Sequence, residues 1–379
     1  MACGLAPSAE LLILFRVFQA VGAAALIPSS LALVMHAYVH EQLPRAVAIW
    51  GAAGAVAGAL GPTLGAGIVE GLGWRWAFFI NPPVGMYTVL AGWRHLRESS
   101  NREVKIPSLV GVVLIAVSAG LLSWAVVGSE EVGWLSSRTA ATAAAGVALL
   151  VMFIVHQRRS TAPALDLELF GIGNFRWGVA SMLVFGTGFA ALFFGSILFL
   201  TDVWGWSVLK AGFGVAPGPV IVGVCSARVG RLAGQIGQRP DLIAGAVLFA
   251  SSGLHRLVAL DAEIAYWRDY FPSMVLSGLG VALVMPQLSS VVAQSLPPTR
   301  AGVGGAALQA VRQFGGTFGV AVTVAFVGAT AAVTDQVVAF DRIWLLVAVA
   351  GIATAALVLP MRTGSRARPL TVAGDLQPA

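Results

Sequence analysis

Long apolar runs, separated by short segments rich in charged or turn-forming residues, cover most of this chain. A helix needs about 20 residues to cross the hydrocarbon core of a bilayer, and eleven runs approach or exceed that length. They lie near residues 10–36, 46–69, 75–93, 106–128, 139–156, 177–200, 211–227, 241–259, 271–294, 302–331 and 342–361. The pattern predicts an all-α polytopic membrane protein with about eleven transmembrane helices.

The amino-acid composition indicates the same class of protein. Of the 379 residues, 58% are hydrophobic and 11% are charged, and the mean hydropathy is +0.85. Soluble domains carry roughly a quarter charged residues, so this chain has too little polar surface to be surrounded by water. No basic segment precedes the first apolar run, and we expect no cleaved signal peptide.

Other classes of function find little support in the residue pattern. The basic residues are scattered singly between apolar runs, which argues against nucleic-acid binding despite a sequence pI near 10.0. Cys3 and Cys225 stand alone, and His36 and His40 have no third ligand near them. We therefore expect no disulfide framework, metal site or cofactor. The sequence also lacks a nucleophile elbow and a phosphate loop, so we expect no enzymatic activity.

Basic residues between the spans predict the orientation, because Lys and Arg collect on the cytoplasmic side of a membrane protein. One alternating set of loops holds 15 of the 23 basic residues, and the opposite set holds six, among them Arg256 and Arg268. The imbalance predicts a multi-pass protein of the plasma membrane with a cytoplasmic C-terminus. After eleven crossings, the N-terminus would lie outside.

Two spans share an element that suggests an internal duplication. GAAALIPSSL (22–31) in the first span and GVALVMPQLS (280–289) in the ninth both place a proline five intervening residues after a glycine. Three spans precede the ninth within its own half, whereas none precedes the first, so we expect an N-terminal bundle that lacks three helices. The predicted domains are a remnant of the N-terminal bundle (1–97), a central helix pair (98–160), a complete six-helix C-terminal bundle (161–363) and a cytoplasmic tail (364–379).

A stripe of glycines runs along one face of the second span. Its members are Gly51, Gly54, Gly58, Gly61 and Gly65, which are three or four residues apart. Pro62 removes one amide donor and favours a bend. A face without side chains lets two membrane helices approach closely. Close packing is the simpler interpretation, and a sliding or sealing surface between two moving bundles is the functional one.

Polar side chains within the apolar spans need a cavity or a partner, because each costs a few kcal/mol in lipid. The candidates for such positions are Arg16, Gln19, Gln287, Gln309, Arg312 and Gln313. Arg16 lies about two turns into its span and could also snorkel to the outer interface. Arg312 lies deeper, and the two glutamines beside it predict either a cavity wall or a structural network between helices.

Aromatic and acidic residues add two expectations. Phe185, Phe189, Phe193 and Phe194 could form an apolar cavity wall, although core packing or lipid contact is the more ordinary role for such residues. All 17 acidic residues fall in loops or at the ends of predicted spans. Because proton coupling needs an ionisable group that is exposed to each side in turn, the sequence shows no evident proton-carrying carboxylate in mid-membrane.

Several motifs together resemble those of one transporter family. They are LFRVFQAVGAA (14–24), GPTLG (61–65), WRWAFFINPPVG (74–85), RVGRLAGQIGQRP (228–240) and AGVGGAALQAVRQFGGTFGVAV (301–322). In combination they resemble the drug:proton antiporters of the major facilitator superfamily. The extra central helix pair resembles the fourteen-helix branch of that family, the EmrB/QacA type.

The resemblance implies roles for individual residues. Arg16 would take part in proton transfer, and the glycine–proline segment around Pro62 would be the antiporter motif. The diluted second copy of the family's cytoplasmic gating loop would contain Arg228, Arg231 and Arg239. The carboxylate of the family's first helix and the undiluted gating motif have no counterpart here, which agrees with the expected absence of three helices.

The function that the resemblance implies is proton-coupled export of small hydrophobic or cationic compounds by alternating access between two helical halves. The partners would be these substrates, protons and the lipid bilayer. Two alternatives stay open. A non-transporting membrane protein is favoured by the missing helices and the missing carboxylate. A transporter of another solute, such as a sugar, is disfavoured by the glycine–proline motif.

Overall fold

The protein is described by a computed structural model that covers residues 1–37, 63–95, 108–133, 136–160, 165–296, 300–327 and 333–362, with isolated positions at 53, 57, 61 and 163. Every regular element in these ranges is helical. The longer helices are α1 (Ala9–Ala37), α2 (Thr63–Leu72), α3 (Asn81–His95), α4 (Leu109–Val132), α5 (Ser137–Arg159), α6 (Gly173–Leu198), α7 (Val208–Val215), α8 (Pro217–Ile236), α9 (Gln238–Ala259), α10 (Phe271–Gln294), α11 (Ala301–Val327) and α12 (Val333–Val358).

Nine helical segments within these ranges are long and apolar enough to cross a membrane. This confirms the prediction of an all-α polytopic membrane protein. The predicted span 46–69 lies mostly outside the described residues, and only its end appears, as α2. The predicted span 75–93 is interrupted at Ile80, and its longer part, α3, has 15 residues, fewer than the roughly 20 that a crossing needs.

Polar caps and glycines mark where several helices begin and end. Ser108, Ser136 and Ser207 each precede a helix and accept a hydrogen bond from an amide of its first turn, at 3.2 to 3.4 Å. Gly133 follows α4 with φ of 86°, and Gly237 separates α8 from α9 with φ of 91°. These left-handed conformations favour glycine, because a side chain would be strained there.

Two predicted boundaries are wrong. The segment 228–240, expected to be a cytoplasmic gating loop, is helical except at Gly237: the backbone of Arg228 and Arg231 belongs to α8, and that of Arg239 belongs to α9. The last helix begins at Val333 rather than near residue 342, so Asp341 lies inside α12. These helices extend beyond the apolar runs that predicted them. Hydropathy shows where contact with lipid ends, but a helix can continue past that point as long as its backbone groups remain hydrogen-bonded.

Helices α6 to α12 pack around one continuous apolar core. Glycines allow the closest helix contacts in this C-terminal bundle. Where α9 meets α10, a Cβ atom on Gly280 would lie 2.8 Å from the carbonyl oxygen of Gly245. Where α9 meets α12, a Cβ atom on Gly253 would lie 2.6 Å from the carbonyl oxygen of Trp344. Both crossings therefore require a residue without a side chain.

The close packing predicted for the glycine stripe is not found at its two described members. No atom of a described residue lies within 4 Å of the place a Cβ atom would take on Gly61 or Gly65. Gly51, Gly54, Gly58 and Pro62 lie outside the described residues. A close contact through a glycine occurs instead between α6 and α11, where a Cβ atom on Gly315 of α11 would lie 2.6 Å from the carbonyl oxygen of Leu183 in α6.

The central helices and the N-terminal segment both contact the C-terminal bundle. Helices α4 and α5 form a hairpin, and Val126 of α4 packs against Ala321 and Ala325 of α11. In the N-terminal segment, α2 contacts α7: the backbone amide of Leu209 donates a hydrogen bond to Glu70 Oε2 at 3.0 Å. The bundle of α6 to α12 thus contacts both the central helix pair and α2.

Candidate substrate cavity

A cavity of about 670 Å³ opens within the C-terminal bundle. Its walls come from α6, α8, α10 and α11, with a contribution from the end of α7. The larger apolar side chains that line it are Phe189, Phe193, Phe194, Val222, Met274 and Met285. Mostly apolar cavities of several hundred Å³ with a few polar groups are the usual form of small-molecule sites.

The local sequence explains how two of these walls form. On α6, Phe189 and Phe193 are one turn apart and stack with ring centroids 6.2 Å apart. On the opposite side, Pro217 begins α8 immediately after α7 has ended, and Gly218 and Pro219 of its first turn line the cavity. A proline is tolerated there because the first amides of a helix have no partner within the helix.

The four phenylalanines of α6 divide between the two roles that were left open. Phe189, Phe193 and Phe194 line the cavity. Phe185 is instead fully buried in the core and packs against Phe249 of α9, with ring centroids 4.6 Å apart. One turn of helix therefore separates a cavity wall from a packed core.

Four polar residues are among those that line the cavity: Ser196, Ser277, Arg312 and Gln313. Arg312 is partly exposed and forms no ion pair or hydrogen bond with any described residue. The part of the lining that the structure describes contains no carboxylate. The cavity is therefore apolar, with a positive charge and neutral hydrogen-bonding groups in its wall.

The other predicted glutamines lie elsewhere. Gln309 is one turn before Gln313 on α11 and is not among the residues that line the cavity. Gln287 is buried in α10, with 4% of its surface exposed, and also lies outside the lining. Gln19 is exposed on α1. The structure thus brings Arg312 and Gln313 to the cavity and leaves these three glutamines apart from it.

Arg16, the predicted proton-coupling residue, lies in the N-terminal segment. Its Nη1 donates a hydrogen bond to Gln19 Oε1 at 2.8 Å, and its Cζ lies 5.7 Å from the ring centroid of Phe78. The side chain is exposed and does not line the cavity of the C-terminal bundle. Its charge therefore lies beside an amide of its own helix, α1, and an aromatic ring of the short helix Trp76–Phe79.

A buried carboxylate lies where the predicted gating segment enters α9. Asp241 stands near the start of this helix, as expected for an acidic residue at a helix end, but only 2% of its surface is exposed and its Oδ2 has no hydrogen-bond partner among the described residues. Nearby, Gln238 Nε2 donates a hydrogen bond to Ser290 Oγ of α10 at 2.7 Å. Polar side chains therefore join α9 and α10 at this end.

The sequence prediction missed one buried cation behind the cavity wall. Arg256, expected in an outer loop, lies in the last turn of α9 and is fully buried. Its guanidinium donates hydrogen bonds from Nε to Ser273 Oγ at 2.9 Å, from Nη1 to Ser196 Oγ at 2.6 Å and from Nη2 to Met274 Sδ at 3.0 Å. The count of basic residues assigned Arg256 to the outer loops although the predicted span 241–259 contains it, and a position this close to a span end does not show whether the side chain is buried or exposed.

Comparison with known sequences identifies the family. The sequence model of the Major Facilitator Superfamily matches residues 1–320. The chain belongs to the major facilitator superfamily. This membership confirms the resemblance drawn from the glycine–proline and glycine-rich motifs.

Three relatives within the superfamily carry names that refer to drug resistance or export. "Multidrug resistance protein Stp" of Mycobacterium tuberculosis (strain CDC 1551 / Oshkosh) is 33% identical over 326 residues, which are 85% of this chain and 60% of Stp. "Tetracenomycin C resistance and export protein" of Streptomyces glaucescens is 31% identical, with the same two coverages. "Multidrug export protein EmrB" of Escherichia coli (strain K12) is 30% identical over 85% of this chain and 63% of EmrB. The chain spans about three fifths of the length of these relatives.

A solved structure shows the same superfamily fold at low sequence identity. A crystal structure of a mutant of the peptide transporter POT superposes with a TM-score of 0.59 and covers 94% of this chain and 76% of that chain. The sequences are 15% identical, so the likeness concerns the fold alone.

Proposed function

We propose that this superfamily member exports small hydrophobic or cationic molecules across the plasma membrane, in exchange for protons, by alternating access. The observation that carries the proposal is the cavity of about 670 Å³, apolar over most of its wall, with Arg312 and Gln313 reaching into it. An apolar cavity selects by shape and volume more than by hydrogen bonds, which suits a transporter of varied compounds. The export and resistance names of the three relatives support the direction of transport.

The C-terminal bundle provides the moving part of this proposal. The glycine contacts of α9 with α10 and α12 hold its helices at backbone distance, so that the bundle can rock as a unit against the N-terminal helices. Arg228 and Arg231 belong to the C-terminal half of α8, and Arg239 lies at the start of α9, and we assign all three to the cytoplasmic gate. We also place the C-terminus in the cytoplasm, because it lies on the same side as the loops that hold most of the basic residues.

Transport by the 379-residue chain in proteoliposomes tests the proposal. With an acidic lumen, vesicles should accumulate ethidium, a permanent cation, or radiolabelled chloramphenicol, a neutral compound, and nigericin should abolish the accumulation by collapsing the pH gradient. Protein-free vesicles of the same lipid are the control. Accumulation of neither compound above this control would contradict the proposed function.

A substitution of Arg16 tests its proposed role in coupling. Arg16→Gln removes the positive charge beside Gln19, and we expect gradient-driven accumulation to fall about tenfold, a typical contribution of one coupling group. Exchange of labelled for unlabelled substrate without a pH gradient should persist, because the cavity is unchanged.

Arg75→Gln is the matched control for this prediction. Arg75 is also an exposed arginine of the N-terminal segment, and its Cζ lies 4.5 Å from the ring centroid of Trp74. We expect the control variant to couple normally. Equal gradient-driven accumulation in the Arg16→Gln and Arg75→Gln variants would contradict the proposed role of Arg16 in proton coupling.

A further inference from the structure

Arg256 is a buried cation whose partners are all neutral. Its three hydrogen-bond acceptors are two serine hydroxyls and one thioether. The rings of Tyr270 and Trp344 flank it, with centroids 4.8 and 4.7 Å from Cζ. The ion pairs among the described residues involve Arg268 and Arg300 instead. The guanidinium therefore lacks a negatively charged partner in the described structure.

Such an arrangement is costly, because a charge removed from water is stabilised fully only by an opposite charge and a complete set of hydrogen bonds. The C-terminal carbonyl groups of α9 and the two ring faces offset part of that cost. The side chain of Tyr270, which also lies against the guanidinium, is neutral as well. The environment of Arg256 can thus accept a negative charge.

Two of the groups bound to Arg256 also form the wall of the cavity. Ser196 and Met274 line it, and each accepts a hydrogen bond from one of the two terminal nitrogens of the guanidinium. The Ser196 hydroxyl donates its own hydrogen to the carbonyl oxygen of Leu192, which leaves it an acceptor towards Arg256. Only one layer of side chains therefore separates the charge from the cavity.

Met274 is the movable part of that layer. Its thioether is a weak hydrogen-bond acceptor, and its side chain has three rotatable bonds, so it adapts readily to new neighbours. A carboxylate that took the place of the sulfur at Nη2 would form a charge-assisted hydrogen bond in place of a weak one.

We propose that Arg256 is a binding site for the carboxylate of amphiphilic organic acids, reached from the cavity when Met274 turns aside. The apolar part of the ligand would lie against the phenylalanines of α6, and its carboxylate would lie between Met274 and Ser196. This inference rests on the proposed function, because it uses the same cavity, and it extends the proposed cargo from hydrophobic and cationic compounds to anionic amphiphiles. It adds a second cation to the site, behind Ser196 of α6 and Met274 of α10, whereas Arg312 lies in the part of the wall that α11 forms.

A matched pair of ligands tests the inference on the full chain in lipid nanodiscs. 1-Naphthaleneacetate and 1-naphthaleneacetamide have the same shape and differ in charge, so the ratio of their dissociation constants isolates the contribution of the carboxylate. We expect the wild-type protein to bind the acid more tightly than the amide. In Arg256→Gln the ratio of the two dissociation constants should shift about tenfold against the acid, which is the effect of one charge-assisted pair. Affinity for the amide should change little.

Three further variants sharpen the result. Arg268→Gln removes an exposed arginine that is already paired with Asp269, and the preference for the acid should be unchanged. Met274→Ala opens the path to a guanidinium that remains in place, and the preference should rise; this variant also serves if Arg256→Gln does not fold. The third variant, Arg312→Gln, removes the cation that lines the cavity itself. The proposal would be overturned if Arg256→Gln kept the preference for the acid, if Arg312→Gln alone abolished it, or if Met274→Ala left it unaltered. Binding of neither ligand would instead count against the cavity as a substrate site.

Discussion

Replacing Gly315 with alanine is expected to destabilise the C-terminal bundle by about 1–3 kcal/mol, the usual cost of overpacking a close contact. The new methyl group would lie 2.6 Å from the carbonyl oxygen of Leu183 and 3.1 Å from the backbone nitrogen of Thr187. Both atoms belong to the backbone of α6, which cannot rotate away as a side chain can. Helices α6 and α11 would have to separate, and the midpoint of thermal unfolding in detergent should fall.

Gly316→Ala is the matched control for this stability prediction, because Gly316 is the next residue on the same helix. A Cβ atom there would meet no described atom within 4 Å, since the residue lines the cavity. Alanine favours a helix over glycine by roughly 0.5–1 kcal/mol, so the control should unfold at the same temperature or slightly higher. Similar midpoints for the two variants would show that the contact of α11 with α6 is not tight.

Placing tryptophan at Gly316 is expected to reduce substrate binding and transport at least about tenfold. The indole ring would occupy space within the cavity of about 670 Å³ that the substrate needs. Because the cavity is empty of side chains at this position, the ring can enter it without displacing α6. The measurement is chloramphenicol or ethidium accumulation in proteoliposomes, together with thermal unfolding to confirm that the variant is folded.

Gly305→Trp is the control for the cavity prediction. It places the same ring on the same helix at an exposed position with no described atom within 4 Å of a Cβ. This variant should transport as the wild type does. If Gly316→Trp also transports normally while folded, the substrate does not use this cavity and the proposed function loses its structural basis.

The order and type of the helices could be predicted from the sequence. The runs 106–128, 139–156 and 241–259 appear as α4, α5 and α9 with shifts of a few residues. The reason is that lipid offers no hydrogen bonds, so an apolar run of this length must satisfy its own backbone as a helix. Helix ends were less predictable, as Val333 shows, because a helix does not stop where its lipid contact stops.

Part of the candidate site was also visible in the sequence. Arg312 and Gln313 are polar residues far inside an apolar run, and such positions require a cavity or a partner; the structure places both in the cavity wall. Gln287 carries the same kind of signal yet is buried away from the cavity. A polar residue in a span therefore indicates that a polar environment exists, without saying which one.

What surrounds each side chain was decided by the tertiary structure alone. Phe185 and Phe189 are one turn apart on α6, but the first packs in the core and the second lines the cavity. Arg256 lies near the end of its predicted span, where an arginine could equally reach the membrane surface, and it is buried because α6, α10 and α12 close around the end of α9. In a membrane, lipid, protein core and cavity wall are all apolar, so hydrophobicity along the chain identifies the helices and leaves their faces unassigned until they pack.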